Sequence, residues 1–175
     1  MSLPAWHEEP ITKAHDRKAF DCGVSELNRF LERFARQGHE HNAVKTFCAI
    51  ADDTPNKVLG FYSLTPTSIA YEAVPPAMTR GLARHRVAGF LLARLAVDKT
   101  VGGQGLGGQL LLAAALRCLR VTVEVGGVLL IIDAKDDRAA QWYCSFGAER
   151  AADQPLTLVA PLTTFAEALR ETGHL

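Results

Sequence analysis

Five glycines stand where an apolar, strand-like segment meets an apolar, helix-like one: Gly102, Gly103, Gly105, Gly107 and Gly108. Each glycine at a helix start costs roughly 0.5–1 kcal/mol relative to alanine through lost chain entropy. The first amides of a helix lack carbonyl partners and lie at the positive end of its dipole, so they form a ready anion site. The sequence therefore predicts a phosphate-binding loop and a phosphorylated small-molecule ligand.

The other reactive side chains form no metal or nucleophile pattern. His39 and His41 lie two residues apart at a predicted helix end and lack a third ligand, which favours a surface position. Cys144 has no histidine placed to activate it. The cysteines are widely spaced without a C-x-x-C pair, which indicates free thiols and no metal site: Cys22, Cys48, Cys118 and Cys144.

Length and composition indicate a single domain over residues 1–175, because 48% of the chain is apolar. The 19 basic and 19 acidic residues cancel, so any basic surface for a nucleic acid must be local. The N-terminal residues are neither basic nor apolar enough for a signal peptide. The apolar run 87–97 is interrupted by Arg94 and is too short to cross a bilayer. We expect a cytoplasmic protein with no membrane contact.

The first predicted helix covers residues 25–38, with Ser25 as its cap. Helical spacing predicts that its buried stripe contains Leu27, Phe30, Leu31, Phe34 and Ala35. Two arginine groups follow as candidate phosphate contacts, one on another face of this helix and one in the loop before the long strand: Arg29, Arg33 and Arg36, then Arg80, Arg84 and Arg86. Arginine groups of this kind are more often only solvated at the protein surface. If the two groups flank one cleft, they would together form a basic rim that contacts phosphates.

The remaining pattern predicts a mixed α/β layer with a parallel crossover through the second helix. In chain order we predict strands over residues 45–51, 57–65 and 87–98, a helix over 106–121, a strand over 126–133, a helix over 138–146 capped by Asp136 or Asp137 and stopped by Gly147, and a strand over 156–162.

This arrangement resembles the GNAT N-acetyltransferases, in which a strand, a Q/R-x-x-G-x-G/A loop and a helix hold the pyrophosphate of acetyl-coenzyme A. The resemblance implies a GNAT fold, with a mixed, mostly antiparallel sheet, a central parallel and splayed strand pair, and flanking helices. Gly102 stands where Arg or Gln is usual, which implies weaker cofactor binding. The implied cofactor contacts are Leu95, Ala96, Val97, Gly102, Gly103, Gln104, Gly105, Leu106, Gly107 and Gly108.

Further matches resemble the TacT-type toxin branch of that family. They are residues 21–23 (DCG), 27–31 (LNRFL), 35–37 (ARQ), 46–47 (TF), 59–64 (LGFYSL), 94–98 (RLAVD), 133–136 (DAKD), 142–143 (WY) and 146–147 (FG). Members of this branch acetylate the α-amino group of aminoacyl-tRNA and so block translation. The resemblance implies an aminoacyl-tRNA substrate, a homodimer and a ribbon-helix-helix antitoxin as partner.

The same resemblance implies that Tyr143 is the general acid for a departing thiolate, whereas its spacing with Ala139 and Phe146 alone favours a core tyrosine. No general base is evident, since Asp98 and Asp133 at strand ends are equally caps or ion-pair partners. An α-amine has a pKa near ~7.7–8.0, so an appreciable fraction is neutral at pH 7, whereas a lysine side chain near ~10.4 has almost none. The lack of a base therefore suits an α-amine better than a lysine. Two alternatives stay open: a GNAT enzyme for a small amine, peptide N-terminus or lysine, and a non-catalytic acyl-coenzyme A-binding module.

Overall fold

The computed structural model describes residues 2–171. Within this range the strands are β1 Trp6–Pro10, β2 Lys45–Ala51, β3 Val58–Ile69, β4 Val87–Val97, β5 Leu129–Asp133, β6 Glu149–Ala151 and β7 Gln154–Pro161. The α-helices are α1 Ser25–Arg33, α2 Ala35–Glu40, α3 Leu106–Val125, α4 Asp137–Cys144 and α5 Leu162–Glu171.

The strands follow the order β1-β2-β3-β4-β5-β7-β6. The parallel pair is β4 with β5, over Gly89 to Leu92 on one strand and Leu129 to Ile132 on the other. β1 with β2, β2 with β3, β5 with β7 and β6 with β7 are antiparallel. The predicted fold class, a mixed and mostly antiparallel sheet with helices, is confirmed, as is the crossover through α3.

Among the described residues, one compact unit comprises 2–65 and 93–111. Its core gathers Ile11, Phe20, Leu31 and Phe61 among other buried side chains. At the edge of this unit, the Trp6 indole on β1 donates a hydrogen bond of 2.9 Å to Gln109 Oε1 in the first turns of α3.

Among the described residues, the other compact unit comprises 66–92 and 112–171. Its core includes Ile69, Val87, Leu129, Ile131 and Val159. α3 is the described helix with the length and apolar composition of a membrane span. Of the apolar window in this helix, 33% is buried inside the protein, including Leu110, Leu111, Ala114, Ala115 and Cys118.

The predicted first helix is two helices, because the backbone departs from helical geometry at Phe34. Phe34 is 51% exposed, so its predicted place in the buried stripe is wrong, whereas Leu31 and Ala35 are buried as predicted. Ser25 is not the cap: the helix begins at Ser25, Val24 precedes it, and no side chain caps the end. Asp136 does cap α4, accepting a 2.8 Å hydrogen bond from Ala139 N.

Candidate functional site

Gly102, Gly103 and Gly105 form an open loop between β4 and α3, whereas Gly107 and Gly108 lie in the first turn of α3. A short 3-10 turn, Lys99–Val101, follows β4 and leads into the loop. Gly103 and Gly105 have φ of +73° and +91°, which L side chains rarely adopt, and a Cβ on either would meet no atom within 4 Å. Gly102, Gly103 and Gly105 are all exposed. The bare main chain therefore faces open space before a 20-residue helix, which fits the binding of an anion.

The start of α3 is held by a close approach to β3. A Cβ built on Gly60 would lie 2.8 Å from Leu110 Cδ1, 3.3 Å from Leu106 Cδ2 and 2.9 Å from the Ala96 carbonyl oxygen. Leu106 and Leu110 are fully buried. The absence of a side chain at Gly60 thus lets the helix seat its first apolar residues on the strand, and this fixes where the glycine loop ends.

The predicted cofactor contacts on β4 are Leu95, Ala96 and Val97. Ala96 is buried in the core around Phe61, and the other two are half-buried. Within the loop, Gln104 Oε1 is buried without a hydrogen-bond partner among the described residues. An orphaned amide oxygen is a free acceptor for a donor on a bound molecule.

Tyr143 lies on α4 in the unit that contains β5 and β7, and it is 6% exposed. Its ring packs edge-on against Trp142, with the ring centres 4.9 Å apart. Burial raises the pKa of Tyr143 above its ordinary value, because the phenolate would lose hydration. The phenol is protonated at neutral pH, as an unperturbed tyrosine also is, so it can donate a hydrogen bond or a proton but cannot act as a base there.

The two acids at strand ends differ in their surroundings. Asp98 is 6% exposed, and both carboxylate oxygens accept hydrogen bonds from the neighbouring main chain. Such a carboxylate is a structural cap. Asp133 lies exposed at the end of β5.

The arginine groups fall in different units. Arg29 and Arg33 are exposed on α1, whereas Arg36 on α2 forms a 2.8 Å ion pair with Glu40. In the other unit Arg80, Arg84 and Arg86 are exposed, with Arg86 donating to Ser68 Oγ at 2.8 Å and the Arg84 guanidinium 5.9 Å from the Tyr71 ring centre.

His39 is half-buried, His41 is exposed, and Cys48 and Cys118 are buried. His39 Nδ1 accepts a 3.0 Å hydrogen bond from Thr46 N. All four cysteines are free thiols. Burial raises the pKa of both Cys48 and Cys118 to about 12, which makes them inert. Residues 2–171 contain no group of three or more His, Cys, Asp or Glu side chains arranged to hold a metal ion.

Two curated proteins are similar to this chain over most of its length. It is 32% identical over 149 residues to the tRNA-acetylating toxin of Mycobacterium tuberculosis (strain ATCC 25618 / H37Rv), covering 85% of this chain and 87% of that protein. It is 25% identical over 165 residues to the probable toxin TacT of Sinorhizobium fredii (strain NBRC 101917 / NGR234), covering 89% and 91%. No protein-family model matches the sequence.

Solved structures share the fold. AtaT complexed with acetyl-methionyl-tRNAfMet aligns with a TM-score of 0.87 at 24% identity, over 94% of this chain and 99% of that one. A tyrosine-to-phenylalanine mutant of the AtaT toxin, bound to acetyl-CoA and the C-terminus of the antitoxin AtaR, aligns with a TM-score of 0.79 at 24% identity, over 94% and 98%.

Proposed function

Because this chain belongs to the family of the tRNA-acetylating toxins, we propose that it transfers the acetyl group of acetyl-coenzyme A to the α-amino group of aminoacyl-tRNA and so blocks translation. The observation that carries the proposal is 32% identity to the mycobacterial toxin across 85% of the chain. The open glycine loop with positive φ at Gly103 and Gly105 agrees with it, since this is the part such an enzyme needs for a diphosphate.

Acetyl-coenzyme A, when bound, supplies an activated acetyl group as a thioester. The exposed amides of residues 102–105 and the first turn of α3 would hold its diphosphate. The main chain of Leu95, Ala96 and Val97 would hold the pantetheine arm. Gly102 offers no side chain to the diphosphate, so the loop relies on main-chain contacts.

We propose Tyr143 as the general acid. Its buried phenol, protonated at neutral pH as any tyrosine is, would donate a proton to the sulfur as the C–S bond breaks and the C–N bond forms, and the proton that the amine loses restores the balance. In support, AtaT has been solved as a tyrosine-to-phenylalanine mutant with acetyl-CoA and antitoxin bound, so a tyrosine has been targeted in that toxin. The acceptor amine needs no strong base if it is an α-amine, because an appreciable fraction is already neutral near its pKa of ~7.7–8.0.

The partners follow from the same family. We propose that the whole chain acts as one acetyltransferase domain in the cytoplasm, as a homodimer neutralised by a ribbon-helix-helix antitoxin. The exposed arginines on α1 and in the loop before β4 are the proposed tRNA phosphate contacts. A small-amine substrate and a purely regulatory acyl-coenzyme A-binding role have no comparable support from the relatives.

The decisive experiment incubates charged tRNA with acetyl-coenzyme A labelled in the acetyl group. We expect label on the aminoacyl group, recovered as an N-acetyl amino acid after mild alkaline hydrolysis, and none on uncharged tRNA. Label that stays on the free cofactor, with folded protein, would refute the proposal. Expression of the wild-type chain should arrest bacterial growth.

A further inference from the structure

The DCG motif at residues 21–23 and Asn28 build one rigid turn. Asp21 Oδ1 accepts hydrogen bonds of 2.9 Å from Gly23 N and from Asn28 Nδ2. Asn28 Oδ1 in turn accepts a 2.9 Å hydrogen bond from Cys22 N. The side chains of Asp21 and Asn28 therefore satisfy one another and the main chain between them. The proposed function assigns no role to this turn.

The turn is fastened to the residues that lead into the glycine loop. Asp21 N donates to Asp98 Oδ2 at 3.0 Å, and Lys99 N donates to the Asp21 carbonyl oxygen at 2.9 Å. Lys99 Nζ also lies 2.7 Å from Asp21 Oδ2. One main-chain hydrogen bond, one hydrogen bond from the main chain to the Asp98 carboxylate and one ion pair thus join two segments 77 residues apart in sequence.

Asp98 also organises the residues that follow it. Its Oδ1 accepts hydrogen bonds from Thr100 N at 2.9 Å and Thr100 Oγ1 at 2.6 Å. Asp98 is buried, whereas Lys99 and Thr100 are exposed. The buried carboxylate of Asp98 therefore accepts hydrogen bonds both from Asp21 and from Thr100 at the exposed entry of the loop.

We propose that Asp98 and Asp21 are positioning residues that hold the entry of the glycine loop in its diphosphate-binding conformation. Glycine-rich backbone samples many conformations, and a ligand binds more weakly in proportion to the fraction of chains that have the competent one. The Asp98–Asp21 contacts raise that fraction before the ligand arrives. This inference rests on the proposed function of the loop in binding coenzyme A.

Thr100→Val gives the cleanest test, because it removes the Oγ1 donor at an exposed position and keeps the shape of the side chain. Thr100→Ser restores the donor, and Asp98→Asn replaces one acceptor oxygen by a donor. Asp16→Asn is the matched control, since Asp16 caps a turn through Ala19 N in the same unit without touching the loop. The measurements are the dissociation constant for coenzyme A, KM and kcat for acetyl-coenzyme A, and hydrogen exchange of the amides of residues 98–105 without ligand.

We expect Thr100→Val and Asp98→Asn to raise the dissociation constant and KM roughly three- to tenfold, with kcat at saturation retained, faster loop exchange and rescue by Thr100→Ser. Asp16→Asn should match the wild type. Folded Thr100→Val and Asp98→Asn variants that both keep wild-type affinity and exchange would overturn the inference, because Thr100→Val removes only the Oγ1 bond whereas Asp98→Asn also alters the carboxylate that Asp21 N contacts. A wild-type protein that binds no coenzyme A would overturn the proposed function instead, and the exchange of the loop would still report separately on the Asp98–Asp21 contacts.

Discussion

The guanidinium carbon of Arg94 lies 3.8 Å from the centre of the Phe30 ring. Phe30 also stacks on Phe61, with the ring centres 6.1 Å apart, and Phe61 is fully buried. Arg94 belongs to β4 and Phe30 to α1, so the pair joins the first helix to the strand that leads into the glycine loop.

We expect Arg94→Met to lower the free energy of unfolding by about 0.5–2 kcal/mol, because the charge over the ring is lost while the aliphatic stem is kept. Urea denaturation measures the change. Arg29→Met is the comparison: Arg29 is exposed and its guanidinium lies 5.9 Å from the centre of the Phe34 ring, a longer cation–π contact, so its loss should cost less. A double-mutant cycle with Phe30→Leu isolates the pair; a coupling energy of zero would show that the stacking contributes nothing to stability.

The elements around the site were predictable because their apolar runs are long and bounded by strong signals. β2 has the predicted bounds, and α3 starts at the predicted Leu106. The first strand and the last helix were not predictable in the same way. β1 is short, half-exposed and polar, and its pairing with β2 makes it a strand. α5 was missed, although Leu162, Phe165, Ala166 and Leu169 have helical spacing and are buried.

The site was predictable only in part. Glycine spacing marks residues 102–108 because main-chain chemistry needs glycine itself. The fit at Gly60 depends on contacts distant in sequence. The hydrogen bond between Asp21 and Asp98 is also long-range. Contacts between segments this far apart produce no periodic pattern in the sequence from which they could be predicted. The roles of Tyr143 and of the arginines remain predictions.

Gly60→Ala should destabilise the protein by roughly 1–3 kcal/mol, because the added methyl would overlap Leu110 and the Ala96 carbonyl. The shift of α3 should also weaken coenzyme A binding. Thermal unfolding and calorimetric titration check the two effects. Gly38→Ala is the matched control: its Cβ would lie 3.7 Å from Val44 O, an ordinary contact, so it should be neutral or slightly stabilising. A Gly60→Ala variant as stable as the wild type would mean that α3 is not seated by this contact.

Gly102→Arg should strengthen coenzyme A binding by about three- to tenfold, since a guanidinium forms charge-assisted hydrogen bonds to a diphosphate. Gly102 has φ −63° and ψ 148°, which any residue adopts, and a Cβ there would lie 3.5 Å from the Lys99 carbonyl oxygen. Gly103→Ala should instead weaken binding, because its φ of +73° strains an L residue. Titration of each variant with coenzyme A at two salt concentrations measures its affinity. Equal affinity of Gly102→Arg and wild type would place the diphosphate away from this position.

Tyr143→Phe should lower kcat by about 10²–10⁴ without unfolding the protein, and it should relieve growth arrest. Burial raises the pKa of Tyr143, so the donor keeps its proton as pH rises through the ordinary tyrosine value near ~10. The rate should therefore rise with the α-amine near ~7.7–8.0 and then level off. An amide-linked aminoacyl-tRNA analogue permits the measurement at alkaline pH. A falling limb below pH ~9 that disappears in Tyr143→Phe would contradict this assignment.

Arg29→Ala and Arg33→Ala should weaken tRNA binding more than Arg36→Ala does, because Arg36 already pairs with Glu40 at 2.8 Å. Each lost phosphate contact should reduce the slope of log affinity against log salt by about one. Filter binding of charged tRNA over a salt series gives affinity and slope together. Arg36→Ala with Glu40→Ala controls for the ion pair, since both charges leave at once. If Arg29→Ala and Arg33→Ala keep the wild-type slope, the exposed face of α1 is only solvated, and Arg80, Arg84 and Arg86 become the next residues to test.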